Sequence, residues 1–264
     1  MVRDFWIRVG VLGIVFCMTG FGTGMDVRGE QESLEADFSE TAEGMEGVSS
    51  EAEEMEDGSS EEPEGSVRGF SEEPEEIERA ASESVAELAV YDVANNGIGR
   101  GSGFAAFSDR LLITNDHVLE NADHLKVKTE AGDIFSVKAE DILIRDEDAD
   151  LAICLLPEDC TLKALPVAED IPLRGEKAVA IGSARGILNL VTIGNVSGHW
   201  SDAVVDWLLF STPVSPGSSG GPLINDDGEV IGVVMGSYDD SQNLNFAVPI
   251  QEAGRLFGQL PEEY

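Results

Sequence analysis

From residue 81 to the C-terminus, apolar residues come in short runs broken by Gly, Asn, Asp and Pro at intervals of about ten residues, the pattern of an all-β sandwich or barrel. Strands are expected over 102–107, 111–114, 125–129, 134–139, 151–155, 177–181, 191–197, 207–211, 222–225, 230–235 and 245–248. Helical patterning is confined to the ends: a short turn over 84–88, and a terminal helix over 249–259 stopped by Pro261. No internal repeat of fixed period is visible, which removes solenoids and propellers.

The texture before residue 81 is different. Residues 26–78 hold 21 acidic side chains against 2 basic ones and almost no aliphatic periodicity. Such a segment cannot bury enough apolar surface to offset its chain entropy, so residues 25–80 are expected to be disordered. A solvated spacer is the plainer reading and a partner- or metal-binding tail the sharper one; no EF-hand spacing supports calcium. At the start of the chain, Arg3 and Arg8 precede an uncharged stretch over 9–24, the order of an export signal. That stretch contains five glycines, and a membrane span needs ~20 predominantly apolar residues. Residues 1–24 therefore read as a cleaved signal peptide, with an uncleaved signal anchor as the alternative. The protein is expected to be exported, either periplasmic or secreted, or tethered to a membrane by that segment. Phe16 before Cys17 does not suit a lipoprotein signal, and Cys17 is read as unmodified.

Charge narrows the partners. The 264 residues carry 16 Lys and Arg against 52 Asp and Glu, a formal net charge of −36. A phosphate backbone is met with clustered cations, so nucleic-acid binding is excluded, and an anionic membrane surface is disfavoured likewise. With 42% apolar residues and much of the charge segregated N-terminally, the remainder can build a core. Three cysteines are too few for a disulfide scaffold. Cys154, in an apolar strand, reads as a buried thiol, and pairing with Cys160 is left open.

Histidine chemistry must choose among His117, His124 and His199. The last two have polar neighbours and no motif and read as surface residues; His117 follows a strand in LLITNDHVLE. The stretch 213–223, PVSPGSSGGPL, has glycines that permit backbone conformations closed to other residues. Apolar strands flank it closely, which favours a fixed turn over a flexible linker. With Ser219 as a nucleophile, the N–H groups of Gly217 and Ser219 would converge on a tetrahedral oxygen, a stabilisation of ~3 kcal/mol per donor. Asp150, at the edge of an apolar strand, is a candidate for burial. A histidine N–H is the natural partner for a buried carboxylate, and holding it would leave the imidazole able to take the proton of Ser219.

These pieces form an ordered set. GSGF at 101–104, TNDHV at 114–118, DLAI at 150–153, AIGSARG at 180–186, PGSSGGPL at 216–223 and LNFAVPI at 244–250 together resemble the trypsin-like serine proteases, and within them the HtrA/Deg group. The resemblance spans residues 84–264. It implies two six-stranded antiparallel β-barrels with a short C-terminal helix, over about 81–170 and 171–264, and needs no metal or organic cofactor. It implies Ser219 as nucleophile, His117 as base and Asp150 as orienter, an oxyanion hole from Gly217, Ser218 and Ser219, and a substrate-pairing strand at Met235, Gly236 and Ser237. Ser218 stands where digestive trypsins carry the Asp that pairs with a new N-terminus, so no zymogen activation is expected. Pro213 stands at the floor of the primary pocket in place of Asp, so cleavage after Lys or Arg is not expected and a small or aliphatic side chain is. HtrA enzymes usually continue into a PDZ domain; the resemblance reaches Tyr264 without one, and regulation through that module is not expected. Partners would be extended or misfolded polypeptides. HtrA relatives often form trimers, though no aromatic cluster marks one here. The alternative to an endopeptidase is a protease-like protein that captures peptides with little turnover.

Overall fold

The computed structural model describes residues 74–184, 186–201, 205–237, 244–262 and 264. The expected signal or anchor at 1–24, Cys17 and the acidic segment up to residue 73 lie outside the described residues.

Seven strands, β1 (Val85–Tyr91), β2 (Gly97–Ala105), β3 (Leu111–Thr114), β4 (His124–Lys128), β5 (Ile134–Lys138), β6 (Ile142–Asp146) and β7 (Leu151–Leu155), form an antiparallel sheet in the order β5-β4-β1-β2-β3-β7-β6. Six more, β8 (Lys177–Ala184), β9 (Ile187–Ser201), β10 (Asp206–Phe210), β11 (Pro222–Ile224), β12 (Val230–Ser237) and β13 (Asn245–Pro249), close into an antiparallel barrel in the order β10-β13-β12-β11-β8-β9. The all-β class with two β-units holds, and the second unit is the six-stranded barrel expected. The first has seven strands, and among the described residues no pairing joins its edges β5 and β6 into a closed ring.

Two of its strands were not expected. Residues 85–91 form β1 where a turn over 84–88 was read, because Ala86, Leu88 and Val90 bury one face against the interior of the sheet. Residues 142–146 form β6, half-buried except at exposed Arg145 and followed by an acidic turn that masks its pattern. Helix α1 (Pro74–Ser84) extends into the segment read as disordered up to residue 80. Pro74 sits at its first position, where a missing N–H costs nothing, and Ile77, with Ala80 beside it, packs into the core. Helix α2 (Ile250–Phe257) closes the chain close to where a terminal helix was expected.

Alternation along the central strands places the core. On β3, Leu111 and Ile113 face one cluster and Leu112 the other; on β7, Leu151 and Ile153 oppose Ala152 and Cys154 in the same way. Side chains on successive residues point to opposite faces, so a strand buried throughout reads as a continuous apolar run. One face fills the sheet's own interior. The other joins Val179, Ile181, Val233 and Val248 of the barrel in a single cluster that seals the two units together.

Candidate active site

Strand pairing decides where the first two chemical groups meet. β3 and β7 are antiparallel with Thr114 opposite Ala152, so the residues just past the end of β3 lie beside those just before the start of β7. His117 opens a single 3-10 turn, His117–Leu119, and Asp150 precedes β7. Asp150 has φ +52, a left-handed conformation that Asp tolerates better than most residues. Its carbonyl accepts from Asn115 Nδ2 at 2.9 Å, which steadies that turn.

Both carboxylate oxygens of Asp150 are spent on His117. Oδ1 accepts from the His117 main-chain N–H at 2.9 Å, and Oδ2 lies 2.8 Å from Nδ1. A carboxylate only accepts, so Nδ1 carries the proton and Nε2 is left with its lone pair. The two side chains keep 20% and 17% of their exposure, so water screens the pair only partly. Burial alone would push the imidazole pKa down; the charge and hydrogen bond of Asp150, with Asp116 and Glu120 adding negative charge, outweigh it and raise the pKa above the ordinary histidine value. Asp116 is itself tied down: Arg145 on β6 donates through Nε to its carboxylate and through a terminal nitrogen to its carbonyl.

Ser219 arrives from the other unit on the loop between β10 and β11. The loop is pinned at its entry, where buried Asn245 donates to Thr212 O at 2.7 Å, and at its exit, where Gly220 N–H donates to Val234 O at 2.8 Å. Gly217 and Gly220 adopt φ +103 and +85, conformations that Gly takes without strain. The Ser218 N–H donates to Ser215 O, so of the three residues expected to form an oxyanion hole, Ser218 has its donor committed. The N–H groups of Gly217 and Ser219 donate to no acceptor among the described residues. The Ser219 hydroxyl donates to Met235 O at 2.9 Å, and among the described hydrogen bonds none links it to His117.

A cavity of about 80 Å³ adjoins this loop, lined by Ala180, Gly182, Ala184, Leu190, Thr192, Pro213, Ser215 and Ser218, without a charged side chain. Met235, Gly236 and Ser237 end β12, with Met235 O at the Ser219 hydroxyl. β12 pairs with β11 only as far as Val233, and beyond Val234 its sole strand neighbour among the described residues is β13, so one edge of 235–237 is unpaired. His124 is half-buried, stacked on Tyr91 and 3.0 Å from Asp123; His199 lies on β9. Cys154 is a buried thiol, its pKa pushed up to about 12 by burial, and Cys160 is also free. Among the described residues no three His, Cys, Asp or Glu side chains gather as a metal site.

The supporting groups were not legible in the sequence. Asn115 and Asp116, the middle of TNDHV, hold Asp150 and receive Arg145; their place beside His117 was the available signal. Ser102, inside GSGF, is fully buried and hydrogen-bonded across to the Ser219 loop.

A family model described as a trypsin-like peptidase domain matches residues 101–233. Among curated proteins, HhoB of Synechocystis sp. is 38% identical over 164 residues, which are 59% of this chain and 38% of that protein. Serine protease HTRA1B of Danio rerio is 34% identical over 161 residues, 58% of this chain and 33% of the relative. The chain thus spans less than two-fifths of the length of these relatives. Among solved structures, the serine endoprotease from Yersinia pestis aligns with a TM-score of 0.61 at 25% identity over 70% of this chain and 65% of that one. The HtrA-type protease AlgW with tripeptide aligns with a TM-score of 0.63 at 25% identity over 72% and 64%.

Proposed function

The chain belongs to the trypsin-like peptidase family, and on that premise we propose that it is a serine endopeptidase acting on extended or misfolded polypeptides. The observation that carries the proposal is the double grip of Asp150 on His117, main chain and ring together. It fixes the imidazole in the tautomer a general base requires.

A substrate strand pairs with the open edge at Met235, Gly236 and Ser237. Its scissile carbonyl comes to Ser219, whose hydroxyl leaves Met235 O and passes its proton to His117 Nε2 as Oγ bonds to the carbonyl carbon. The oxygen of the tetrahedral intermediate accepts from the N–H groups of Gly217 and Ser219. His117 then gives its proton to the departing amine, and the C–N bond breaks. Water, deprotonated by the same imidazole, hydrolyses the acyl-enzyme and restores Ser219. Small or aliphatic side chains suit the uncharged cavity floored by Pro213. The Ser218 N–H is already held by Ser215 O, and with no Asp at that position the loop needs no newly cut N-terminus to order it. Export is proposed on Arg3, Arg8 and the uncharged stretch 9–24.

One observation favours a second reading, peptide capture with little turnover: the Ser219 hydroxyl rests on Met235 O. A fluorophosphonate probe separates the two, since only an activated hydroxyl displaces its leaving group. Stoichiometric labelling mapped to Ser219, with hydrolysis of an unfolded protein, supports the endopeptidase; an unlabelled protein that binds peptide supports capture.

A further inference from the structure

We propose that Ser102 is a positioning residue for the oxyanion donors, an assignment that rests on the serine-protease reading of the site. Ser102 belongs to β2 of the first sheet, yet three of its hydrogen bonds cross to the barrel. Its N–H donates to Ser219 O at 2.8 Å. Its hydroxyl donates to Gly217 O at 2.7 Å and accepts from the Ser183 N–H of β8 at 2.8 Å. A fourth bond, from Thr114 Oγ1 to its carbonyl at 2.8 Å, ties it to the end of the strand that delivers His117. One buried residue therefore bonds through its hydroxyl to the Ser219 loop and to β8, and through its main chain to Ser219 and to the end of the strand that precedes His117.

The contact that matters is with Gly217. Its carbonyl belongs to the peptide joining it to Ser218, and that peptide is held at both ends: the oxygen by Ser102 and the Ser218 N–H by Ser215 O. Gly217 has no side chain to restrict its rotation, and at φ +103 it could swing between basins at little cost. Anchoring that carbonyl stops rotation of the following peptide, and so narrows the paired φ and ψ changes by which its own N–H, one of the two free donors, could turn away. Oxyanion stabilisation depends on donors aimed in advance at the developing charge, so the anchor contributes to turnover more than to substrate binding. The site is shaped for a small hydroxyl: a Cβ on Gly182 would stand 3.0 Å from Ser102 Oγ, and one on Gly220 would overlap the Ser102 carbonyl.

The test compares wild type and Ser102→Ala on a peptide amide with a small aliphatic residue before the scissile bond, and on a peptide aldehyde of the same sequence, whose adduct with Ser219 carries an oxygen in the oxyanion position. Sites are counted by fluorophosphonate labelling carried to completion. We expect kcat to fall about 10- to 100-fold, within the loss of one donor, KM to stay within about threefold, and the aldehyde to bind more weakly by a factor matching kcat. A role confined to stability lowers the melting temperature while leaving kcat per labelled site and aldehyde affinity unchanged; that result, or a change confined to KM, overturns the proposal. Ser102→Cys, with a poor donor of nearly the same shape, serves if the alanine variant does not fold: a smaller loss with the same kcat-to-KM split supports the role, and an unchanged kcat overturns it. Wild type that neither labels nor hydrolyses removes the serine-protease reading and this role together; active wild type matched by Ser102→Ala removes this role alone.

Discussion

The hydroxyl of Ser219 donates to the main-chain carbonyl of Met235 at 2.9 Å. Met235 is the extra residue of a β-bulge: Val234 pairs with Ala247 and Gly236 with Phe246, leaving Met235 without a partner on β13. Bulges re-aim groups beside functional sites, and this one turns a strand carbonyl toward the Ser219 hydroxyl. The same edge is where a substrate strand would pair, so docking and release of the hydroxyl toward His117 draw on one carbonyl.

Ser219→Ala removes the proposed nucleophile and that single bond. A hydrogen bond of this kind contributes about 1 kcal/mol net, and in a chain of this size that lowers the melting temperature by roughly 2–4 °C. We expect a folded protein that no longer cleaves an unfolded substrate and no longer takes a fluorophosphonate label. Hydrolysis at the wild-type rate by the purified variant would remove Ser219 from the mechanism.

Asp150→Asn keeps the shape of the grip and changes its meaning. An amide can present N–H to Nδ1, which moves the ring proton to Nε2 and leaves no base facing Ser219. The loss in kcat should be on the order of 10³- to 10⁴-fold with KM little changed. A loss below about tenfold would show that Asp150 does not set the tautomer.

The pH profile carries the sign of the His117 shift. Its pKa is raised, burial notwithstanding, by Asp150 first and by Asp116 and Glu120 after it. Base catalysis needs the neutral ring, so the acid limb of kcat/KM should lie above the ordinary histidine value of about 6.5. Glu120 is exposed; Glu120→Gln should move the limb down slightly, and salt should erase that difference. Stability runs the other way. A raised pKa means that the contribution of His117 to folding is fully present below its unfolded value and is lost as the pH rises through the folded value. Activity therefore grows over the window in which this contribution fades. An acid limb below 6.5 would contradict the assignment of His117 as base.

Much of this site could be read from the chain because its key segments are local. Strands 111–114 and 151–155 were expected at the residues where they occur, since unbroken apolar runs bounded by Asn, Asp and Pro leave little choice of boundary, and antiparallel pairing then brings His117 to Asp150. The glycines of 216–221 announced a fixed loop for the same reason. What stayed hidden depends on distant contacts. Ser102 reaches Gly217 across 115 positions and Ser183 across 81, and a hydroxyl between two glycines carries no periodic signal. β1 was missed because Ala and Glu in VAELAVY look helical until the partners β2 and β4 supply a ladder. The direction of the Ser219 hydroxyl follows from a bulge, which a register of alternating residues does not reveal.

Gly220→Ala tests how tightly the loop is held. At φ +85 a side chain is strained, and a Cβ there would overlap both Ser102 O and Thr114 Oγ1. Left-handed strain of about 1–2 kcal/mol adds to overpacking of about 1–3 kcal/mol. We expect a drop of about 2–5 kcal/mol in denaturant unfolding with loss of activity. A variant as stable as wild type would mean that the nucleophile loop adapts and is not clamped between the two units.

The cavity beside Ser218 gives the proposed substrate preference its sharpest test. It measures about 80 Å³, is bounded by Pro213, Leu190 and Thr192 and has no charged group in its lining, which suits a side chain such as Ala or Val better than an aromatic ring or an extended cation. Burying a guanidinium or ammonium there without a partner is strongly unfavourable, and each misfitting methylene is worth ~1–3 kcal/mol in discrimination. On a peptide library, kcat/KM for Ala or Val before the scissile bond should exceed that for Arg or Phe by about 100-fold or more. Leu190 is 41% exposed and lines the cavity, so Leu190→Ala opens the space without emptying the core. That variant should gain about tenfold for Leu and Met relative to Ala while leaving the exclusion of Arg intact. If wild type prefers Arg or Phe, this cavity does not receive the substrate side chain.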